Sequence, residues 1–232
     1  MGKDVIIALD FCDKKEVFDF LDKFTGRKPF VKIGMELYYS EGAEIVREIK
    51  RRGHKIFLDL KLHDIPNTVK KSMSVLSGLN IDMCNLHAAG GSLMMKAALE
   101  GLVRADGTRP VLIAVTQLTS TSEEMMKNEL LINHSMNDTV NLYALNAQKS
   151  GLDGIVCSPL EAATVHNLCG KNFLTITPGI RFADGDAGDQ IRITTPQKAK
   201  EIGSDYIVVG RPVTKAENPV LAYERCLNEF VG

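Results

Sequence analysis

The amino-acid sequence predicts one (β/α)8 barrel domain over residues 1–232, and three observations carry that prediction. Short β-branched or aliphatic runs recur eight times, amphipathic helix-like segments lie between them, and nearly every run ends in polar or charged residues. Strands that alternate with helices join through right-handed parallel crossovers. Near-continuous apolar strands suit a parallel sheet covered by helices. Eight such units in a chain of this length fit a closed barrel with short loops. A doubly wound open sheet is the alternative architecture.

In chain order, VIIALD (5–10) ends on Asp10, and FVKIGM (30–35) carries Lys32. KIFLDLK (55–61) ends in Asp59 and Lys61, MCNLHA (83–88) brings His87, and VLIAVTQL (111–118) brings Thr116 and Gln117. GIVCSP (154–159) brings Ser158, FLTITPG (173–179) is followed by Arg181, and YIVVGRP (206–212) contains Gly210 and Arg211. Between the runs, EGAEIVREIKRRG sets Ile45, Val46 and Ile49 on one helical face, and SLMMKAALEGLV and DTVNLYALNAQKSG follow the same period. Two connections are long, 119–138 after the fifth run and 181–193 after the seventh. Long loops in a compact domain are usually functional or mobile, and the second, with Gly185 and Gly188, fits a lid over a ligand.

Hydrophobic residues at 44% and charged residues at 25% are ordinary globular values, which argues against wholesale disorder. A net charge of −1 gives no basic surface for nucleic acid, so an anionic ligand must be met by local cations. The five cysteines are scattered and form no C-x-x-C pair, so neither a zinc site nor a disulfide framework is expected. MGKDVIIALD lacks a signal-peptide pattern, and no apolar stretch approaches the ~18 residues of a membrane span. The expectation is a cytoplasmic protein that binds no membrane. The G-x-S-x-G elbow, H-E-x-x-H and the Walker A sequence are all absent.

In barrels the active site lies at the C-terminal ends of the strands. Along the third run Ile56, Leu58 and Leu60 point one way, towards the helices, while Phe57, Asp59 and Lys61 point into the barrel. A structural ion pair is the bland reading of Asp59 and Lys61. A buried pair is often no more stable than an apolar replacement, so chemistry explains it better at this end of a barrel. His63 lies off this face and reads as a turn residue, and Cys157 reads as packing because no base motif accompanies it. His87 suits either a structural role or the orientation of a neighbour. TPGIR after the seventh run and VVGRP at the eighth fall where barrels commonly bind phosphate. Gly179 and Gly210 free backbone N–H groups there, and Arg181 and Arg211 supply the clamp.

These residues resemble a known family. DLKLHDIPNT, Lys32 in VKIGMELY, TPGIR and IVVGRPVT together look like the short, monofunctional bacterial orotidine 5′-phosphate decarboxylases, over essentially the whole chain. D-x-K-x-x-D alone marks a broader superfamily of barrels; the full string is far more specific. The resemblance implies conversion of orotidine 5′-phosphate to UMP and CO2, the last step of de novo pyrimidine synthesis, without metal or cofactor. It also implies a homodimer with sites at the subunit interface. Lys32, Asp59, Lys61 and Asp64 then form the charged network, with Asp64 from the partner and Lys61 as proton donor. Ile65 and Thr68 also reach the partner's site. Asp10 and Lys32 hold ribose hydroxyls, Thr119 the pyrimidine edge, and Pro178 its apolar side. Gln190 bridges lid, base and phosphate, while Arg181, Gly210 and Arg211 bind the phosphate region.

Two rival readings stand beside this one. The first is a Mg2+-dependent lyase resembling 3-keto-L-gulonate 6-phosphate decarboxylase or hexulose-6-phosphate synthase, against which Lys32 counts because an ammonium repels the metal. The second is a non-catalytic phosphosugar-binding barrel, against which the intact charged network counts.

Overall fold

In the computed structural model, which describes residues 3–184 and 194–232, eight parallel strands pair in strict chain order and close on themselves. They are β1 (Asp4–Ala8), β2 (Phe30–Gly34), β3 (Ile56–Leu62), β4 (Met83–His87), β5 (Val111–Val115), β6 (Gly154–Val156), β7 (Leu174–Thr177) and β8 (Tyr206–Val209). β1 pairs with β2 on one side and β8 on the other, so the sheet is closed and the open-sheet alternative falls.

The helices are α1 (Lys14–Leu21), α2 (Met35–Arg51), α3 (Pro66–Ser77), α4 (Gly91–Leu102), α5 (Glu123–Asn128), α6 (Met136–Lys149), α7 (Ala162–Cys169), α8 (Pro196–Ile202), α9 (Arg211–Thr214) and α10 (Pro219–Phe230). Their starts are legible chemistry. Asp13, Ser122, Ser135, Thr195 and Asn218 each accept a backbone N–H of the first turn. Proline opens α3, α8 and α10, where its missing N–H costs nothing. None of the described helices is long and apolar enough to cross a membrane.

Strand alternation divides the core into two shells. Inward residues such as Ile6, Phe57, Met83, Ile113, Ile176 and Val208 fill the barrel. Outward residues such as Val5, Ile7, Ile56, Leu58, Cys84 and Leu86 pack beneath the helices. The N-terminal face is closed by a repeated device. The carboxylates of Asp82, Asp153 and Asp205 accept the N–H groups of Ile56, Leu112 and Thr175 on the preceding strands. Each carboxylate also takes a side-chain donor, from Lys50, Arg109 and His166 respectively. That face is a stabilising one, which leaves the opposite rim for chemistry.

The connection over 119–138 is more ordered than a plain loop. It contains α5 and the first turn of α6, because Ser122 and Ser135 each cap a helix start. Of the second long connection, residues 185–193, including Gly185, Gly188 and Gln190, lie outside the described residues.

Candidate active site

At the C-terminal rim, strands β1 to β3 converge on a chain of alternating charges. Lys32 Nζ donates to Asp10 Oδ1 at 3.2 Å and lies 3.4 Å from Asp59 Oδ2. Asp59 Oδ1 in turn accepts from Lys61 Nζ at 2.7 Å. Asp59 is buried at 8% exposure, while Asp10 is open to solvent. Burial alone opposes ionisation of Asp59. The Lys32 and Lys61 ammoniums, with hydrogen bonds from Lys61 and Asn85, outweigh it and hold the carboxyl below its ordinary value.

Lys32, Asp59, Lys61, Thr119 and Pro178 all line one cavity of about 220 Å3. Most of its wall is apolar, with Lys32, Asp59, Lys61, Asn85, Gln117 and Thr119 among the charged and polar members. The apolar part includes Phe57, Val156, Ile176 and Val208. A flat ring with one polar edge matches that division.

Alternation puts Asp59 and Lys61 on the cavity side, as the structure shows, but it does not account for the backbone at Lys61. In the β3–β4 ladder Leu58 pairs with Cys84 and Leu62 with Leu86, so three residues of β3 face the single residue Asn85. The surplus is absorbed in a bulge where Lys61 takes a left-handed φ of 51°. Lys61 therefore stays on the cavity side that the strand period gives it, with Leu60 and Leu62 on the helix side, but it does so from a strained backbone. Asn85, 1% exposed, fills the gap: its Oδ1 accepts the Lys61 N–H at 2.8 Å and its Nδ2 donates to Asp59 Oδ1 at 2.6 Å. Sequence reasoning missed Asn85. Its signal was available, since Met83, Asn85 and His87 share the inward face of β4.

His87 is half-buried, with its ring 5.6 Å from that of the exposed His63. Burial first, then the proximity of His63 and Lys61, lower its proton affinity below that of an ordinary histidine. Thr116 and Ser158 serve the backbone. The Thr116 hydroxyl donates to Val156 O at 2.9 Å, and the Ser158 N–H donates to Glu161 at 2.8 Å.

The two arginines line a second, larger cavity of about 800 Å3 together with Phe182, Pro212, Lys215 and Arg225. Gly179 has a left-handed φ of 83°, which turns the chain so that Arg181 follows β7 directly. The Arg181 N–H donates to Thr194 O at 2.9 Å, and the Thr194 N–H donates to Gly179 O at 3.0 Å. Arg181 is buried, whereas Arg211, which follows Gly210 and begins α9, is exposed. Asp64, Ile65 and Thr68 stand apart on the exposed turn into α3, with the Asp64 carboxylate accepting the Ile65 N–H at 2.6 Å. The structure thus gathers Asp10, Lys32, Asp59, Lys61, Thr119 and Pro178 in one place and Arg181 and Arg211 in another. Asp64, Ile65 and Thr68 face outwards, and Gln190 lies outside the described residues.

Fold and rim together define a (β/α)8-barrel enzyme with its polar residues collected at the strand ends. The chain belongs to the orotidine 5′-phosphate decarboxylase / HUMPS family, which it matches over residues 3–226. It is 57% identical to an orotidine 5′-phosphate decarboxylase of Bacillus cytotoxicus, with 100% of this chain and 99% of the relative covered. It is 55% identical to the enzyme of the same name from Bacillus mycoides, at the same coverage. Among solved structures, orotidine 5′-phosphate decarboxylase from Lactobacillus acidophilus superimposes with a TM-score of 0.89 at 43% identity, covering 99% of this chain and 100% of that one. A conserved protein from Geobacillus kaustophilus superimposes with a TM-score of 0.88 at 49% identity, covering 97% of this chain and 99% of that one.

Proposed function

We propose that this protein converts orotidine 5′-phosphate to UMP and CO2 by electrostatic stabilisation, with Lys61 as the acid. The observation that carries the proposal is the Lys32–Asp59–Lys61 array in a cavity that is otherwise mostly apolar. Breaking the bond between C6 and the carboxylate leaves an electron pair on a ring carbon with no neighbouring carbonyl to accept it. A preorganised ammonium aimed at that carbon lowers the barrier without reorganising at the moment of reaction. Lys61 fills that role, and its proton passes to C6 as CO2 departs. Asp59 holds the ammonium in place.

In this reading Asp10 and Lys32 grip the ribose hydroxyls, Thr119 reads the pyrimidine edge, and Pro178 packs on its apolar side. Arg181, Gly210 and Arg211 take the phosphate, with Gln190 completing the contact between base and phosphate. Phosphate binding remote from C6 then contributes to the transition state as well as to affinity. A homodimer completes the site, each subunit lending Asp64, Ile65 and Thr68 to its partner. The 66% exposure of Ile65 in the isolated chain supports that placement. The rival metal-dependent lyase is disfavoured because ammoniums lie at both oxygens of Asp59, where a divalent ion would need a carboxylate.

The test follows the fall in orotidine-phosphate absorbance with and without EDTA. Undiminished turnover in EDTA supports the proposal; EDTA-sensitive turnover of sugar phosphates, with none of orotidine phosphate, overturns it. Mixing inactive Lys61→Ala and Asp64→Ala subunits under exchanging conditions tests the shared site. Regained activity is expected, and its absence refutes the loan of Asp64.

A further inference from the structure

We infer that Asn85 is a positioning residue for the reaction, fixing the Lys61 ammonium from both ends of that residue. The inference rests on the proposed role of Lys61 and deepens it.

A lysine on a regular strand reaches its target through a flexible four-carbon stem from a stable backbone. Lys61 has no such anchor, because it sits in the β3 bulge at φ 51°, a conformation strained for any residue but glycine. The ladder between Leu58 and Leu62 is interrupted, so the Lys61 N–H lacks the strand partner that register would otherwise provide. The Asn85 side chain supplies one instead. Its orientation needs no choice, since the Lys61 N–H is a donor and must meet Oδ1, while the Asp59 carboxylate is an acceptor and must meet Nδ2.

The result is a closed circuit: Lys61 backbone to Asn85, Asn85 to Asp59 Oδ1, and Asp59 Oδ1 back to Lys61 Nζ. One buried amide thereby sets where the residue's backbone starts and where its ammonium ends. It also fixes the plane of the Asp59 carboxylate, turning Oδ2 towards Lys32. Among the described residues the other groups at the Asp59 carboxylate are the Lys32 and Lys61 ammoniums, so Asn85 is the uncharged member that orients the carboxylate without adding charge to the site. Misplacement of a reacting group by about 1 Å can cost on the order of 100-fold in rate, so an indirect role of this kind is measurable.

The test compares wild type with Asn85→Leu, which keeps volume but neither hydrogen bond, and Asn85→Ser, a smaller change that guards against failure to fold. The expected result is a fall in kcat of roughly 10–100-fold, with KM and the UMP dissociation constant changed by no more than about threefold, because Asn85 does not line the cavity assigned to the phosphate. The pH profile supplies a second readout. Asp59 faces Lys32 from β2, with Asp10 beyond it just after β1, Lys61 from its own strand, and Asn85 and His87 from β4. Loss of the Asn85 donor moves the acid limb of kcat to higher pH in both variants. Wild-type kcat with an unmoved acid limb in Asn85→Leu overturns the inference. So do equal losses of kcat and UMP affinity in both variants, which indicate general damage to the cavity. Absence of turnover in the wild type overturns the proposed function itself, and is thereby distinguished from failure of this inference.

Discussion

Replacing Asp59 by asparagine keeps the shape of the side chain and removes the one negative charge between two ammoniums. Lys61 Nζ lies 2.7 Å and Lys32 Nζ 3.4 Å from the carboxylate oxygens. At an effective dielectric of about 20, each pair attracts by roughly 5–6 kcal/mol before any desolvation is counted. Burying the carboxylate offsets several kcal/mol of that sum, and deleting one partner of a buried pair costs ~3–5 kcal/mol in practice. The lysine side chains retain 13% and 26% exposure, so water screens part of the repulsion left between them. The lower end of that range is therefore expected, and for a chain of this size it corresponds to a drop in Tm of about 10 °C. The folded carboxyl ionises below its ordinary value of 3.8, so its contribution is complete above that pH and drains away as pH falls through the folded value. Thermal melts of both proteins from pH 7 down to pH 3 measure this. A variant that melts within about 2 °C of wild type at pH 7, or a difference that persists undiminished into acid, refutes the account of Asp59 as a buried, compensated carboxylate.

Two further outcomes follow from the same geometry. Arg211→Ala should weaken UMP binding ~10–100-fold while leaving uridine binding unchanged, if Arg211 holds the phosphate through charge-assisted hydrogen bonds as proposed. Calorimetry with both ligands checks this, and equal losses would contradict the phosphate assignment. Gly101→Ala should destabilise the fold by roughly 1–3 kcal/mol, because a Cβ there would lie 2.1 Å from the Lys70 backbone carbonyl oxygen and force α3 and α4 apart. A urea midpoint equal to that of wild type would contradict that close approach.

The barrel was legible because each strand is an apolar run, but the runs overstate the strands at their C-terminal ends. VLIAVTQL yields a strand ending at Val115, and YIVVGRP one ending at Val209. The polar tails leave the ladder there to form the rim. Asp59 was legible from period alone, because strand alternation is local. So was the side on which Lys61 lies; its left-handed backbone was not, because a bulge is a property of two strands and depends on how β4 pairs with β3. Asn85 escaped for the same reason: an asparagine within an apolar strand acquires meaning only once its ladder partner is known to be displaced. Helix α5 was hidden by its length of six residues, too short for a period, although its Ser122 cap stands in the sequence. The burial of Arg181 depends on a segment met thirteen residues later, at Thr194. The outward-facing Asp64, Ile65 and Thr68 came from family resemblance, and no local pattern distinguishes them from an ordinary turn.

The central claim is that the Lys61 ammonium, held by Asp59, provides both the counter-charge and the proton. Single-turnover decarboxylation of orotidine 5′-phosphate by Lys61→Ala, in protein that keeps its fold and binds UMP, tests it most directly. The account predicts a rate at least ~1000-fold below that of wild type, beyond the loss of a single oxyanion donor. A rate within about tenfold of wild type would contradict it.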